Sequence, residues 1–144
     1  MYRTGLVYAL LATILWGMAP VFEKLGLIHI SPLAGLTIRT AAVTVMLVLI
    51  VLLTNVHTEI LQADPRTVFF LIISGILAGL LGTWSYFYAL KHGEASRVVP
   101  IVGAYPLFAF LFAMLLLGEK ITLQKGIGVI LIVSGVVLPG SQIF

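Results

Sequence analysis

An all-α bundle of membrane-spanning helices is the fold class this sequence predicts, and three observations carry it. Hydrophobic residues make up 61% of the chain, charged residues only 9%, and the mean hydropathy is +1.20, a composition that water does not keep dispersed. The apolar residues fall in runs of the length a bilayer core requires, about 20 residues at ~1.5 Å rise each. The polar intervals between the runs are short and carry helix-start residues. The expected architecture is one domain over residues 1–144 with five transmembrane helices, roughly Gly5 to Leu27, Leu33 to Leu53, Thr67 to Leu90, Val98 to Leu117 and Leu123 to Leu138.

The first segment is interrupted. In "LATILWGMAPVFEKLGL", Leu11 to Leu27, a tryptophan-glycine pair, a proline and two charges break an otherwise apolar helix. Thr13, Trp16, Gly17, Pro20 and Lys24 follow steps of three or four and share one helical face, with Glu23 at its edge. Pro20 removes a backbone donor and clashes with the carbonyl one turn earlier, so a bend is expected there and a carbonyl near Trp16 is freed. Freed carbonyls are tolerated at membrane depth only under protein or water. The face therefore reads as a cavity lining, with Trp16 as its wall. The alternative places Trp16 in an interfacial aromatic belt and leaves Glu23 and Lys24 to mark the helix end, where Lys24 can snorkel.

The second helix opens at Ser31-Pro32, an N-cap oxygen followed by proline at the first helical position. Arg39 falls about two turns inside it, opposite Thr37, Thr40 and Thr44. An arginine at that depth either snorkels to the interface or faces a polar interior. The interval "TNVHTEILQADPR" is too small for a domain, and Asp64-Pro65 repeats the N-cap and proline signature.

On the third helix Gly75, Gly79, Gly82 and Tyr86 occupy one face, with Ala78 beside them. That is a small-residue seam for close helix packing. Tyr86 and Tyr88 can each bond a neighbour or face a ligand. "KHGEAS" ends the helix with a basic residue and a glycine stop, and Ser96 and Thr122 are candidate caps for the next two helices. In the fourth helix Pro100 and Pro106 bracket Gly103, Ala104 and Tyr105, so its first half cannot be a straight hydrogen-bond ladder. Broken helices of this kind bound transporter sites. Gly128 and Gly135 form a second seam on the fifth helix.

Several functions are excluded. The chain has no cysteine, hence no disulfide framework and no thiolate. His29, His57 and His92 have no carboxylate or second histidine at helical spacing, so no metal site is expected. Paired carboxylates, a Ser-His-Asp set and a phosphate-binding glycine loop are all missing from the pattern. The chain therefore reads as neither an enzyme nor a cofactor protein. The formal charge is +3, but the basic residues are scattered singly, which argues against nucleic acid. The first apolar run is too long for a signal-peptide core, and no small-residue cleavage site follows it.

With an odd number of spans the termini lie on opposite sides of the membrane. Arg3, Arg66, Lys120 and Lys125 then fall on the N-terminal side, and Lys24, Arg39, Lys91 and Arg97 on the other. The four-to-four split leaves the positive-inside rule without a preference.

Trp16-Gly17 with Pro20 and Lys24, then "SPLAGLTIRTAA" with Pro32 and Arg39, then "YFYALKHGEASRVVPIVGAYPLFAFLFAMLLLGEKITLQKGIGVILIVSGV" closely resemble the EamA domain of the drug/metabolite transporter superfamily. The most specific stretch is the last, where Ala89, Pro100, Pro106, Gly118-Glu119, Thr122, Gln124, Gly126 and Gly135 stand in the family's order. The resemblance implies a multi-pass protein of a bacterial or archaeal cell membrane, half of a ten-helix fold of two inverted repeats. It departs from that fold in holding one repeat only. It implies a permease or exporter of a small-molecule substrate, acting by alternating access as an antiparallel homodimer or with a paralogous five-helix partner. Trp16, Gly17, Pro20, Lys24, Arg39, Tyr86, Pro100 and Tyr105 are the candidate pathway residues, with Pro20 and Pro100 as kinks. Glu119 is expected to order the junction of helices four and five. A more distant similarity to small multidrug resistance proteins lacks their mid-helix glutamate, since the nearest carboxylate here is Glu23. The competing expectation is a non-transporting accessory or assembly subunit of a larger membrane complex.

Overall fold

Two proline-led helix starts set the frame of the first half of the chain. In the computed structural model, which describes residues 2–118 and 122–140, the Ser31 side chain accepts from the Ala34 amide at 3.2 Å and opens α2, Pro32–Leu53. The Asp64 carboxylate accepts from the Arg66 amide at 3.2 Å and opens α4, Pro65–Ser74. Each cap satisfies one of the amides that a helix start leaves unpaired. Before them runs α1, Tyr2–Gly26, unbroken through Pro20 and six residues beyond. Between α2 and α4 the interval expected to be a plain connection forms a six-residue helix, α3, Val56–Leu61.

The third span is longer and less regular than its pattern indicates. Gly75–Gly82 winds as a π-helix, and Thr83 Oγ1 donates to the carbonyl five residues back, Ala78, at 2.9 Å. The helix then continues as α5, Thr83–His92. Across a π stretch the bonds run i to i+5. The 3.6-residue spacing that puts Gly75, Gly79, Gly82 and Tyr86 on one face does not hold through it. A Cβ at Gly75 or Gly79 would meet nothing within 4 Å, and the same is true at Gly128 and Gly135. Neither expected glycine seam is filled among the described residues.

Gly93–Phe144 forms a second compact unit, distinct from Met1–His92. Its first helix, α6, spans Ala95–Val102, with Glu94 at the N-cap position. Ser96, expected as the cap, lies inside the first turn because the helix starts before the apolar run does. The chain turns at Gly103–Ala104 and resumes as α7, Tyr105–Leu117, with Pro106 in its first turn. The break thus falls between the two prolines, three residues after Pro100. A Cβ at Gly103 would stand 3.0 Å from the Pro100 carbonyl oxygen, so the turn itself calls for glycine. Gly118 ends α7 at φ 65°, the left-handed stop that glycine adopts without strain. The last helix, α8, is Leu123–Gly140 and packs on both α6 and α7. Glu119 and its proposed junction role lie outside the described residues.

Four segments, Thr4–Gly26, Pro32–Leu53, Pro65–His92 and Ala95–Leu117, are long and apolar enough to cross a membrane. Along them even the largest apolar side chains stay exposed within the single chain, as Phe22 at 66% and Leu53 at 86% illustrate. A chain dissolved in lipid has no need to hide them. What is buried in the first unit gathers at one end: Leu27, Leu36, Phe87 and Leu90. That end is where α5 packs against both α2 and α1, and it holds Glu23, Lys24, Arg39 and Lys91.

Candidate functional site

The connection between α1 and α2 is only a few residues long, so the charged last turn of α1 comes back beside the second turn of α2. Glu23 and Arg39 meet there, with Oε1 and Nε 3.6 Å apart. The carboxylate is the more enclosed partner, its side chain 13% exposed against 48% for the arginine. Behind them α5 supplies two aromatic rings. The Arg39 guanidinium carbon lies 5.9 Å from the centre of the buried Phe87 ring, within the range in which a cation is drawn to a ring face. The Tyr86 ring tilts against Phe87 at 5.9 Å. Its hydroxyl oxygen is buried beside the Glu23 carboxylate and the Arg39 guanidinium.

Glu23, Arg39 and Phe87 border a cavity of about 410 Å³ whose wall also includes Phe22, Gly35 and Ile38. Apart from the ion pair the wall is apolar. Gly35 lets α2 approach: a Cβ there would stand 2.7 Å from Leu27 Cδ2. The site presents one acid, one base and an aromatic floor. They can hold a small ligand by charge and apolar contact.

Lys24, one residue on from Glu23, turns the other way. Its Nζ donates to the carbonyls of Leu90 at 2.6 Å and Lys91 at 3.2 Å, where α5 ends. Lys91 returns the contact, donating to the carbonyls of Leu27 at 3.2 Å and Ile30 at 2.5 Å, just past the end of α1. Each ammonium sits where a helix leaves carbonyls unpaired and its dipole is negative.

Among the expected pathway residues, the structure brings Lys24, Arg39 and Tyr86 together at this end, and buries Pro20 on α1. Trp16 and Gly17 are not part of it: Trp16 is 69% exposed on the surface of α1, and Gly17 has open space beside it. Thr13 turns its hydroxyl back on its own helix, to the Ala9 carbonyl at 2.9 Å. Pro100 and Tyr105 belong to the second unit. Sequence reasoning missed Glu23 as a partner, missed Phe87 and Gly35 altogether, and read Lys91 only as the basic end of its own helix. The signal for Glu23 was present: an acid shortly before a tight helix connection and a base shortly after it face each other when the hairpin closes. No group of three or more His, Asp or Glu residues suited to a metal occurs among the described residues.

Residues 3–139 match the EamA-like transporter family. An uncharacterized transporter encoded in the cobO 3′ region of a Sinorhizobium species is 33% identical over 132 residues, which cover 91% of this chain and 92% of that protein. An uncharacterized protein of Methanocaldococcus jannaschii is 32% identical, over 94% of this chain and 95% of its own length. The protein RarD of Salmonella typhi is 28% identical over 94% of this chain, yet that match spans only 46% of RarD. No solved structure matches the chain.

Proposed function

We propose, from the premise that the chain belongs to the EamA-like transporter family, that it carries small metabolites across the membrane as one of two five-helix repeats, by alternating access. The observation that carries this reading is one of length. The chain aligns over nine-tenths of two relatives of its own size, and over less than half of RarD. One such repeat is half of the longer arrangement, and a second chain supplies the other half.

In this reading α8 is the fifth span and the partner is an antiparallel copy or a paralogous chain. The Glu23–Arg39 cavity is the part of the pathway this chain contributes at one membrane end. The apolar side chains left exposed along α1, α2 and α4 meet lipid and the partner repeat. The test is reconstitution. The purified chain in vesicles should take up at least one member of a panel of labelled metabolites, and should run as a dimer when cross-linked in the bilayer. A chain that stays monomeric in the bilayer and moves nothing overturns the proposal, as does uptake by a monomer.

A further inference from the structure

Two hydroxyls fix where the third span changes its winding. Thr83 Oγ1 donates at 2.9 Å to the carbonyl of Ala78, five residues back, and the Thr83 amide donates to the same oxygen. Two residues later Ser85 Oγ donates at 2.8 Å to the carbonyl of Leu81, four residues back, the spacing of an ordinary α-helix. The π stretch Gly75–Gly82 ends between them. Gly82 is a second hold: a Cβ there would stand 3.0 Å from the Leu77 carbonyl oxygen, again five residues back, so this winding leaves little room for a side chain at 82. A short π stretch amounts to one extra residue taken into an α-helix, and such stretches recur at functional sites.

The two sides of this stretch are held differently. Downstream, α5 packs on α2 and α1, its Phe87 and Leu90 are buried, and Lys91 is bonded to the carbonyls of Leu27 and Ile30. Upstream, the main contacts of α4 are with the π stretch itself, and Phe69, Phe70, Leu71 and Ile72 stay between 56% and 68% exposed. Little else fixes the rotation of α4. Gly75 and Gly79 have no side chain to drag past a neighbour, and even a Cβ there would meet nothing within 4 Å. Exchanging i to i+5 bonds for i to i+4 bonds one at a time leaves no amide open once each step is complete, as hydrocarbon surroundings demand. The extra residue leaves at Pro65, where a helix start has unpaired amides in any case and proline has none. We propose that Gly75–Gly82 is a rotary joint: as its winding relaxes from π to α, α4 turns by about 100°, one residue of a 3.6-residue turn, while α5 stays anchored. Thr83 and Gly82 hold the π setting. The joint does not depend on the transport reading; within that reading it gives the third span two faces to offer a second repeat.

Distances between pairs of nitroxide labels test it, in a chain with no cysteine of its own. A label at Val45→Cys on α2 is paired in turn with Phe70→Cys and Leu71→Cys on α4, all three at exposed positions, and with Ala89→Cys on α5. The two α4 labels stand about 100° apart on the helix, so a turn of α4 cannot escape both. Measurements are made in lipid nanodiscs, with labelled chain diluted in unlabelled chain so that each distance lies within one molecule. Thr83→Val removes the hydroxyl and keeps the shape, and Gly82→Ala adds the Cβ. Each should move at least one α4 label by about 5 Å or more, the swing of a side chain at ~5 Å radius through that angle, and leave the label at 89 in place. Thr83→Ser keeps the donor and should give the parent distances. Deleting Leu80 removes the extra residue outright and supplies the distances of the α setting, which both variants should approach. Parent distances in both variants overturn the joint, as does an equal shift at 89, which is a movement of the whole span. A Thr83→Ser chain that matches Thr83→Val overturns it as well, since the hydroxyl is then not the hold. So does a deletion chain that no longer folds, because the α setting is then closed to this span. No substrate is needed for these distances. Uptake by a chain whose labels never move removes the joint and leaves transport standing, and labels that move in a chain that carries nothing do the reverse.

Discussion

Lys24 and Lys91 cap each other's helices: the ammonium at the end of α1 binds the carbonyls that finish α5, and the ammonium at the end of α5 binds the carbonyls that follow α1. Each lysine spans more than sixty residues of sequence to do so. The exchange ties the end of α1 to the end of α5 at the buried core of the first unit, because Leu27 and Leu90, whose carbonyls accept, are its most buried side chains. Lys24→Met or Lys91→Met keeps the apolar stem and removes the donor. Either should lower the stability of the detergent-solubilised chain by about 1–2 kcal/mol, from charge-assisted hydrogen bonds and a lost helix-end cation. The double substitution should cost less than the sum, since each lysine supports the backbone that the other caps. Denaturant titration checks this, and additive losses would show two independent caps.

Arg39→Lys separates charge from shape. Lysine preserves the positive partner for Glu23 but not the planar fork, whose central carbon lies 5.9 Å from the centre of the Phe87 ring. Insertion and folding should be near normal, with a loss on the order of 1 kcal/mol for a half-exposed pair. Vesicle uptake of a substrate found for the parent chain should fall at least about tenfold, equivalent to 1.4 kcal/mol of discrimination. Uptake at the parent rate would reduce Arg39 to a point charge at the membrane edge.

The frame of this fold was legible because lipid imposes so few solutions: long apolar runs and short intervals mark the helices, and the proline-led caps at Ser31 and Asp64 place the starts of α2 and α4 within two residues. The break in the fourth segment was legible too, as two prolines around a glycine have no straight helix available. What stayed hidden follows from partner choice. Periodicity assigns Trp16 and Lys24 to one face, but only the packing of α5 decides which part of that face is covered, and α5 covers its lower end. Glu23 and Lys24 look alike as end-of-helix charges, yet they turn to different neighbours. The π winding of Gly75–Gly82 shifted the face of everything after it, and no local residue pattern announces an i to i+5 ladder.

Glycine positions divide by what surrounds them. At Gly35 a methyl group would press on Leu27, itself 2% exposed, at 2.7 Å, while touching Phe87 at an ordinary contact distance of 3.6 Å. Gly35→Ala should therefore cost about 1–3 kcal/mol as overpacking, even though the leucine tip can yield a little. At Gly79 the same methyl meets open space, and Gly79→Ala should be neutral or mildly stabilising in the isolated chain. Gly79→Leu distinguishes lipid from partner on that face. If the second repeat packs there, cross-linked dimer should drop while the monomer remains folded. An unchanged dimer yield would assign the face to lipid.

The lysine exchange also bears on orientation. Lys24, Arg39 and Lys91 gather at one end of the first unit, and a chain that inserts both ways must keep its basic residues balanced between the two sides, here four against four. Removing one shifts the balance. Lys91→Met leaves three on its side and four on the side of Arg3 and Arg66, so the positive-inside rule then holds the N-terminus in the cytoplasm. On the five-span reading proposed above, the C-terminus is then outside. A C-terminal reporter active only outside should gain signal, and one active only inside should lose it. Conservative replacement gives the control: Lys91→Arg keeps the charge count and should leave the reporter ratio unchanged even where it strains the contact with the Ile30 carbonyl. A chain with one fixed orientation would show a single active reporter in the parent and in every variant. That outcome would make a paralogous chain, rather than an inverted copy, the source of the second repeat.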